Sequence, residues 1–276
     1  MNPIKKLLTG TSLENPARSV KNFFKGNTNT GNVPDWVIRT KRDDDYMDNI
    51  LKKILNRSSS CVDIGAHRGY FLKRFIELSP EGRHFAFEAL PEFAKALREK
   101  FPTVNIFNLA LGNQTGFTKF CYVKNLPGWS GLKKQDYPEE SNVEMIEVEM
   151  KKLDDVLSAE SKIDFIKIDV EGAEYEVLEG SEKIISKYKP VVLFEHAKIH
   201  NAEYDTTPEK IYNLIVEKFN LGIFSLDGTG PLNLKDLTKI YNTSFESKYD
   251  RNAQTNFLVN LNVKIRNYVF SLQSLI

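Results

Sequence analysis

The sequence predicts a doubly wound α/β fold: a mostly parallel seven-stranded sheet with an antiparallel edge pair and a β-hairpin insertion. Two observations carry this expectation. Short apolar runs alternate with amphipathic stretches along most of the chain, the pattern of a parallel sheet with helices on both faces. The alternation fails at residues 117–150 and again near 222–259, where strand-like runs follow one another without a long amphipathic helix between them.

Residues 9–34 are rich in Gly, Asn, Thr, Ser and Pro and have little periodicity. With Lys5, Lys6, Arg18, Lys21 and Lys25 they read as a flexible basic N-terminal arm over 1–34, a solvated leader rather than a nucleic-acid or lipid contact. A single domain is expected over 35–276. Asp43, Asp44 and Asp45 lead into a first helix, where negative charge suits the N-terminal dipole. Tyr46, Met47, Ile50, Leu51, Ile54 and Leu55 then form one apolar face at helical spacing.

The first strand, 61–64, ends in a glycine turn, and its Cys61 reads as a small buried hydrophobe. A helix over 70–78 stops at Ser79-Pro80. The second strand, 85–88, ends in an acid. Pro91 opens a helix over 91–100 at the first turn, where its missing N–H costs nothing. Further strands follow at 104–109, 163–170 and 191–194, with helices over 173–187 and 208–219. The runs 117–123 and 143–150 form the hairpin insertion, joined by a polar loop carrying Trp129, Ser130 and Gly131. The runs 222–226 and 256–259 close the sheet as an antiparallel pair, a common mixed arrangement.

The chain has 276 residues, 41% hydrophobic and 27% charged, which fits one large globular domain. A net charge of +1 argues against a dedicated nucleic-acid coat. The two cysteines, Cys61 and Cys121, form no CxxC pair, which speaks against a zinc ribbon or a disulfide scaffold. The first ten residues lack the apolar core of a secretory signal, and no apolar stretch spans a bilayer, so the expected site of action is the cytoplasm.

In an open α/β sheet, ligands bind beyond the carboxyl ends of the strands. After the first strand stands Asp63-Ile64-Gly65-Ala66-His67-Arg68-Gly69. Gly65 permits a tight turn close to a ligand, and Gly69 permits close packing of the following helix. Glu88, after the second strand, is placed to accept hydrogen bonds from a ribose diol. The turn is not a GxGxxG fingerprint, and its acid would repel a pyrophosphate. S-adenosylmethionine has no phosphate, and it carries an ammonium and a sulfonium, which an acidic first turn suits. Asn108 to Gly112 close the third strand, either as a plain strand end or with a backbone amide and small side chains facing an adenine. Asp169 and Glu171, after the fourth strand, would favour a nearby sulfonium or bind a substrate or metal; Glu171 and Glu174 also suit the start of the next helix.

These segments, in order, resemble the FkbM family of methyltransferases. The resemblance rests on Val62 to Gly69, Phe87-Glu88, Ala110-Leu111-Gly112, Ser130-Gly131-Leu132, Leu153-Asp154-Asp155 and Lys167-Ile168-Asp169-Val170-Glu171-Gly172-Ala173-Glu174. It runs through about half of the chain, from about Ser59 to Glu195. It implies a Rossmann-like class I methyltransferase fold and S-adenosylmethionine as cofactor, with methylation mostly at oxygen. By this likeness Asp63, Gly65 and Glu88 hold the cofactor and Asp169 borders the reaction site; Ala66, Gly69 and Ala110 are expected beside them. The chain departs from the family where His67 replaces a frequent asparagine, and where Ala89 rather than proline follows Glu88.

An alcohol acceptor would need a base, and the candidates are Glu195 and His196 past the fifth strand. A metal site at His196 and His200 requires that stretch to be helical, and no metal is expected. Tyr70 or Phe71 offers an aromatic face to a cation. The loop around Trp129 is placed to fold over the site and contact an acceptor such as a sugar. The leading expectation is an O-methyltransferase acting on a small molecule or glycan. The alternatives are a nicotinamide-dependent oxidoreductase, a non-catalytic nucleoside-binding module, and RNA methylation anchored by the basic arm.

Overall fold

The computed structural model describes residues 35–137, 140–157, 162–201, 203–246 and 254–260. The expected basic arm, 1–34, lies outside the described residues, as does 261–276.

Helix α1 (Asp35–Ile54) precedes strand β1 (Cys61–Ile64), helix α2 (Tyr70–Leu78), strand β2 (His84–Phe87), helix α3 (Pro91–Lys100) and strand β3 (Asn105–Phe107). Strands β4 (Ala110–Leu111), β5 (Gly116–Val123) and β6 (Val143–Lys151) follow, then α4 (Leu153–Val156) and β7 (Phe165–Ile168). Helices α5 (Glu174–Glu179) and α6 (Glu182–Tyr188) lead to β8 (Val191–Glu195), α7 (Lys198–Asn201) and α8 (Pro208–Tyr212), which continues as a π-helical turn, Asn213–Lys218. Strand β9 (Ile223–Ser225), helix α9 (Leu234–Glu246) and strand β10 (Asn256–Val259) complete the order.

Seven strands form one sheet in the order β3-β2-β1-β7-β8-β10-β9. All neighbours are parallel except β10, which runs antiparallel to both β8 and β9. The chain moves outward from β1 in one direction and resumes at β7 on the other side. Strand order therefore reverses between β1 and β7, where such sheets bind ligands. Every residue of β1, β2 and β7 is buried, as expected of parallel strands covered on both faces.

The two faces have separate cores. Val62, Ile64, Ile166, Ile168, Val192 and Phe194 pack with α5, α6 and α8 on one side. Cys61, Ala86, Phe165 and Leu193 meet α1, α2 and α3 on the other. By the two-residue period of a strand, Asp63 and Lys167 belong to this second side. The insertion forms its own sheet, β4-β6-β5, with β5 antiparallel to β6 over its full length.

Beyond shifts of a residue or two at strand ends, three helices differ from the expectations. Helix α1 starts at Asp35, two turns earlier than the acidic run suggested, and buries Val37 as well as Ile50 and Leu51. Asp43, Asp44 and Asp45 thus lie mid-helix, not at the dipole end. The helix expected over 173–187 is two helices. Asp154 separates them, accepting the N–H groups of Lys183 at 2.8 Å and Ile184 at 3.0 Å and so starting α6 afresh. A helix, α9, also occupies the connection between β9 and β10. Asn233 caps it by accepting the Asp236 N–H at 2.9 Å, and Leu237 and Tyr241 are its buried stripe. Its polar outer face hid this stripe in the sequence.

Candidate active site

A cavity of about 330 Å³ opens at the carboxyl ends of β1, β2, β7 and β8, at the reversal of strand order. Asp63, Gly65, Ala66, Glu88, Ala110, Asp169 and Glu195 all line it. The backbone of the first turn sets its floor. Gly65 has φ +73°, and a Cβ there would lie 1.8 Å from the Asp169 carbonyl oxygen. The backbone just past β7 therefore passes where any side chain at 65 would stand. The Gly65 and Ala66 N–H groups donate to the Phe87 carbonyl at 3.0 and 3.1 Å, which ties the turn to β2.

Gly69 does not line the cavity. Its φ is +76°, and a Cβ there would lie 2.4 Å from the Phe101 ring. Its contribution is the close seating of α2 against α3, so its expected place among the cofactor contacts is corrected.

Glu88 is 6% exposed. Its Oε2 accepts the His67 N–H at 2.7 Å and its Oε1 accepts the Leu90 N–H at 2.9 Å. Glu88 thus locks the first turn to the second, which the sequence did not indicate. A carboxylate has about four acceptor positions, so lone pairs remain for hydroxyl groups. Burial pushes the Glu88 carboxyl above its ordinary range, against the two amide hydrogen bonds. His67 sits at φ +46° with its ring stacked on Phe93 at 4.5 Å. The structural use of this departure from the family is packing at the rim.

Asp63 and Lys167 are direct neighbours across β1 and β7. The Lys167 ammonium lies 3.6 Å from Asp63 Oδ1 and 3.2 Å from Asp169 Oδ2. It donates to the Gly65 carbonyl at 3.0 Å and stands over the Phe71 ring at 5.4 Å. Burial pushes Asp63 up to about 6; Lys167 opposes this and Asp169 adds to it. Burial also works against the charge on Lys167, but Asp169 and Asp63 outweigh it and raise the ammonium above its ordinary value. Among the described residues, Lys167 is the one buried lysine or arginine. Sequence reading passed over it, although a lysine inside the apolar run Phe165-Ile166-Lys167-Ile168 signals a buried partner.

The acids after β7 divide their roles. Asp169 and Glu171 line the cavity. Glu174 does not: its Oε1 accepts the Val170 and Gly172 N–H groups at 3.0 and 3.2 Å and shapes the turn, with burial raising it to about 8.

Glu195 faces the cavity, and His196, one residue on, faces away. His196 is fully buried, stacked on Tyr241 at 4.5 Å, and burial pushes it down to about 4. The expectation of His196 as a base is corrected: successive residues leaving a strand point to opposite faces. The His200 side chain lies outside the described residues, and no cluster of potential metal ligands occurs among the described ones.

Two further walls come from elements remote in sequence. Helix α1 contributes Arg39, Thr40, Asp43, Asp44 and Met47. Burial, together with Asp43, Asp45 and Asp48, pushes Asp44 up to about 7. The insertion contributes Pro127 to Ser130 and Leu132. A bridge between Cys121 and Gly131 folds this loop back, and the Gln135 amide donates to the Glu171 carbonyl at 2.6 Å. The Tyr204 hydroxyl accepts the Lys133 N–H at 3.0 Å and secures the loop from the far side.

The site and sheet define a doubly wound α/β protein with a cavity where strand order reverses, and comparison with known proteins narrows the class. The profile described as the methyltransferase FkbM domain matches residues 63–220, more than half of the chain. The chain belongs to the FkbM methyltransferase family. It is 30% identical over 159 residues to methyltransferase sdnD of Sordaria araneosa, covering 44% of this chain and 60% of that protein. It is 31% identical over 143 residues to 2-O-methyltransferase NoeI of Sinorhizobium fredii, covering 46% of this chain and 58% of that one. The crystal structure of methyltransferase FkbM from Methylobacillus flagellatus KT aligns at 14% identity with a TM-score of 0.41, over 92% of this chain and 57% of the other. Each match thus spans less than two thirds of the relative's length. No helix among the described residues is long and apolar enough to cross a membrane.

Proposed function

We propose that this chain is an S-adenosylmethionine-dependent O-methyltransferase acting on a hydroxyl of a small molecule or glycan. The observation that carries the reading is the pairing of an acidic, glycine-floored turn with Glu88 at the reversal of strand order. Asp63 Oδ1 is buried without a hydrogen-bond partner, the Gly65 floor admits no side chain, and the surrounding acids suit a cationic nucleoside rather than a phosphate. The residues present therefore fit this cofactor. Asp63, Gly65, Ala66 and Asp169 would hold its methionine end, Glu88 its ribose, and Ala110 its adenine.

Bound there, S-adenosylmethionine supplies a methyl group on a sulfonium leaving group. The chain's part is mainly orientation, an effect worth on the order of 7–11 kcal/mol. Phe71 and Tyr70 present aromatic faces on the same wall. Glu195 takes the proton of the acceptor hydroxyl through a carboxylate oxygen. Trp129 and its loop bound the acceptor and exclude water. Family membership favours methyl transfer over hydride transfer, and the relative that is a 2-O-methyltransferase supports oxygen as the acceptor atom. The cytoplasm, where S-adenosylmethionine is made, is the compartment this reading implies.

Calorimetry with S-adenosylmethionine, S-adenosylhomocysteine and NAD tests the cofactor. Saturable binding of both S-adenosyl ligands is expected. Binding of NAD with none of either would overturn the assignment. A methyl-transfer assay across alcohol, amine and carboxylate acceptors tests the atom, with turnover of alcohols expected.

A further inference from the structure

Lys167 is a costly residue to place in the middle strand of a sheet, and its position at the cavity wall suggests a use beyond packing. Its side chain is 8% exposed and reaches the cavity wall. An ammonium donates up to three hydrogen bonds. The Gly65 carbonyl takes one at 3.0 Å, and Asp169 Oδ2 stands at 3.2 Å for a second. Asp63 Oδ1, at 3.6 Å, is beyond hydrogen-bond reach and has no hydrogen-bond partner. A buried ammonium and a buried carboxylate oxygen therefore lie side by side, as an ion pair, at the same wall.

That pair is complementary to a zwitterion. An α-amino acid carries an ammonium and a carboxylate on a single carbon, and adjacent buried charges of opposite sign recognise both at once. We infer that Lys167 binds the α-carboxylate of the methionine end of the cofactor while Asp63 accepts from its ammonium. This rests on the cavity being an S-adenosylmethionine site. Lys167 then sets ligand specificity: nucleosides with a complete amino-acid tail are held, and those lacking the carboxylate are discriminated against. The neighbouring Asp169 keeps the ammonium protonated and aimed along the wall when the tail is absent.

The test uses three ligands on the full chain by isothermal titration calorimetry. They are S-adenosylhomocysteine, its decarboxylated analogue S-adenosyl-3-thiopropylamine, and 5′-methylthioadenosine. Wild type is expected to prefer S-adenosylhomocysteine over the amine by about tenfold or more, the scale of a charge-assisted hydrogen bond. Lys167→Met should reduce that preference to about twofold or less while leaving 5′-methylthioadenosine affinity unchanged. Lys167→Arg should restore part of it. Equal binding of the two tailed ligands by wild type overturns the inference with no variant required. So does a preference retained in Lys167→Met, because a purely structural lysine would weaken both tailed ligands alike. If Lys167→Met does not fold, Lys167→Met/Asp169→Asn removes one charge of each sign and is read in the same way. Binding of none of the three ligands by wild type would instead overturn the cofactor assignment itself.

Discussion

At the scale of single residues, the site depends on backbone position as much as on side-chain chemistry. Gly65 combines a positive φ with the Asp169 carbonyl, just past β7, where its Cβ would be. Gly65→Ala is expected to destabilise the fold by at least about 2 kcal/mol and to weaken S-adenosylhomocysteine binding. Denaturant unfolding measures the first effect and calorimetry the second; a variant with unchanged midpoint would show that β7 can move aside. Glu195 and His196 can be separated in the same spirit. Glu195→Gln should lower kcat by about a hundredfold or more without changing cofactor affinity. His196→Phe, which keeps an aromatic ring against Tyr241 and Phe257, should leave kcat near wild type. The reverse result would return the base to His196.

At the scale of elements, the proposed acceptor side is built by pieces that the sheet itself does not require. The insertion hairpin is held over the cavity by hydrogen bonds to Glu171 and Tyr204, and it presents Trp129 at the wall. Trp129→Ala should raise KM for the acceptor several-fold while leaving S-adenosylhomocysteine affinity unchanged, because the residue is proposed to meet only the acceptor. A loss confined to cofactor affinity would assign the loop to the other end of the cavity. Helix α1 closes the opposite side. Its acids were legible as a charge run but not as a cavity wall, because where the helix begins decides which way Asp43 and Asp44 point. Val37 and Ile38 are β-branched and favour strand locally, yet both lie within α1 with Val37 buried, so tertiary context overrides them.

At the scale of the whole molecule, buried acids make stability depend on pH. Burial raises Asp63 to about 6, Asp44 to about 7 and Glu174 to about 8. A carboxyl whose pKa is higher in the folded than in the unfolded chain binds protons more tightly when folded. Its stabilising contribution is full below the unfolded value and is lost as pH rises through the folded one. His196, lowered to about 4, acts in the opposite sense, contributing stability above its unfolded value and losing it as pH falls. Between about pH 6.5 and 8, Asp44 and Glu174 therefore act without that offset, and Tm should fall. Thermal melts across this interval should show a smaller fall for Asp44→Asn and for Glu174→Gln. In the latter, an amide oxygen still accepts the Val170 and Gly172 N–H groups. A Tm that rises with pH in wild type would contradict the burial of these groups.

The sequence by itself determined the alternation of strands and helices, the doubly wound sheet with its antiparallel edge, and the turn and acids at the ends of β1, β2 and β7. All of these follow from local periodicity, from glycine and proline, and from the position of acids at strand ends. Only the tertiary structure decided which side chains share the cavity. Register sets Lys167 beside Asp63, although 104 residues separate them along the chain. Strand alternation turns Glu195 inward and His196 away, and Gly69 serves helix packing rather than the cavity wall. Helix α1 and the Trp129 loop close a site whose floor lies on other elements. Such contacts come from long-range packing, and local pattern carries no record of them.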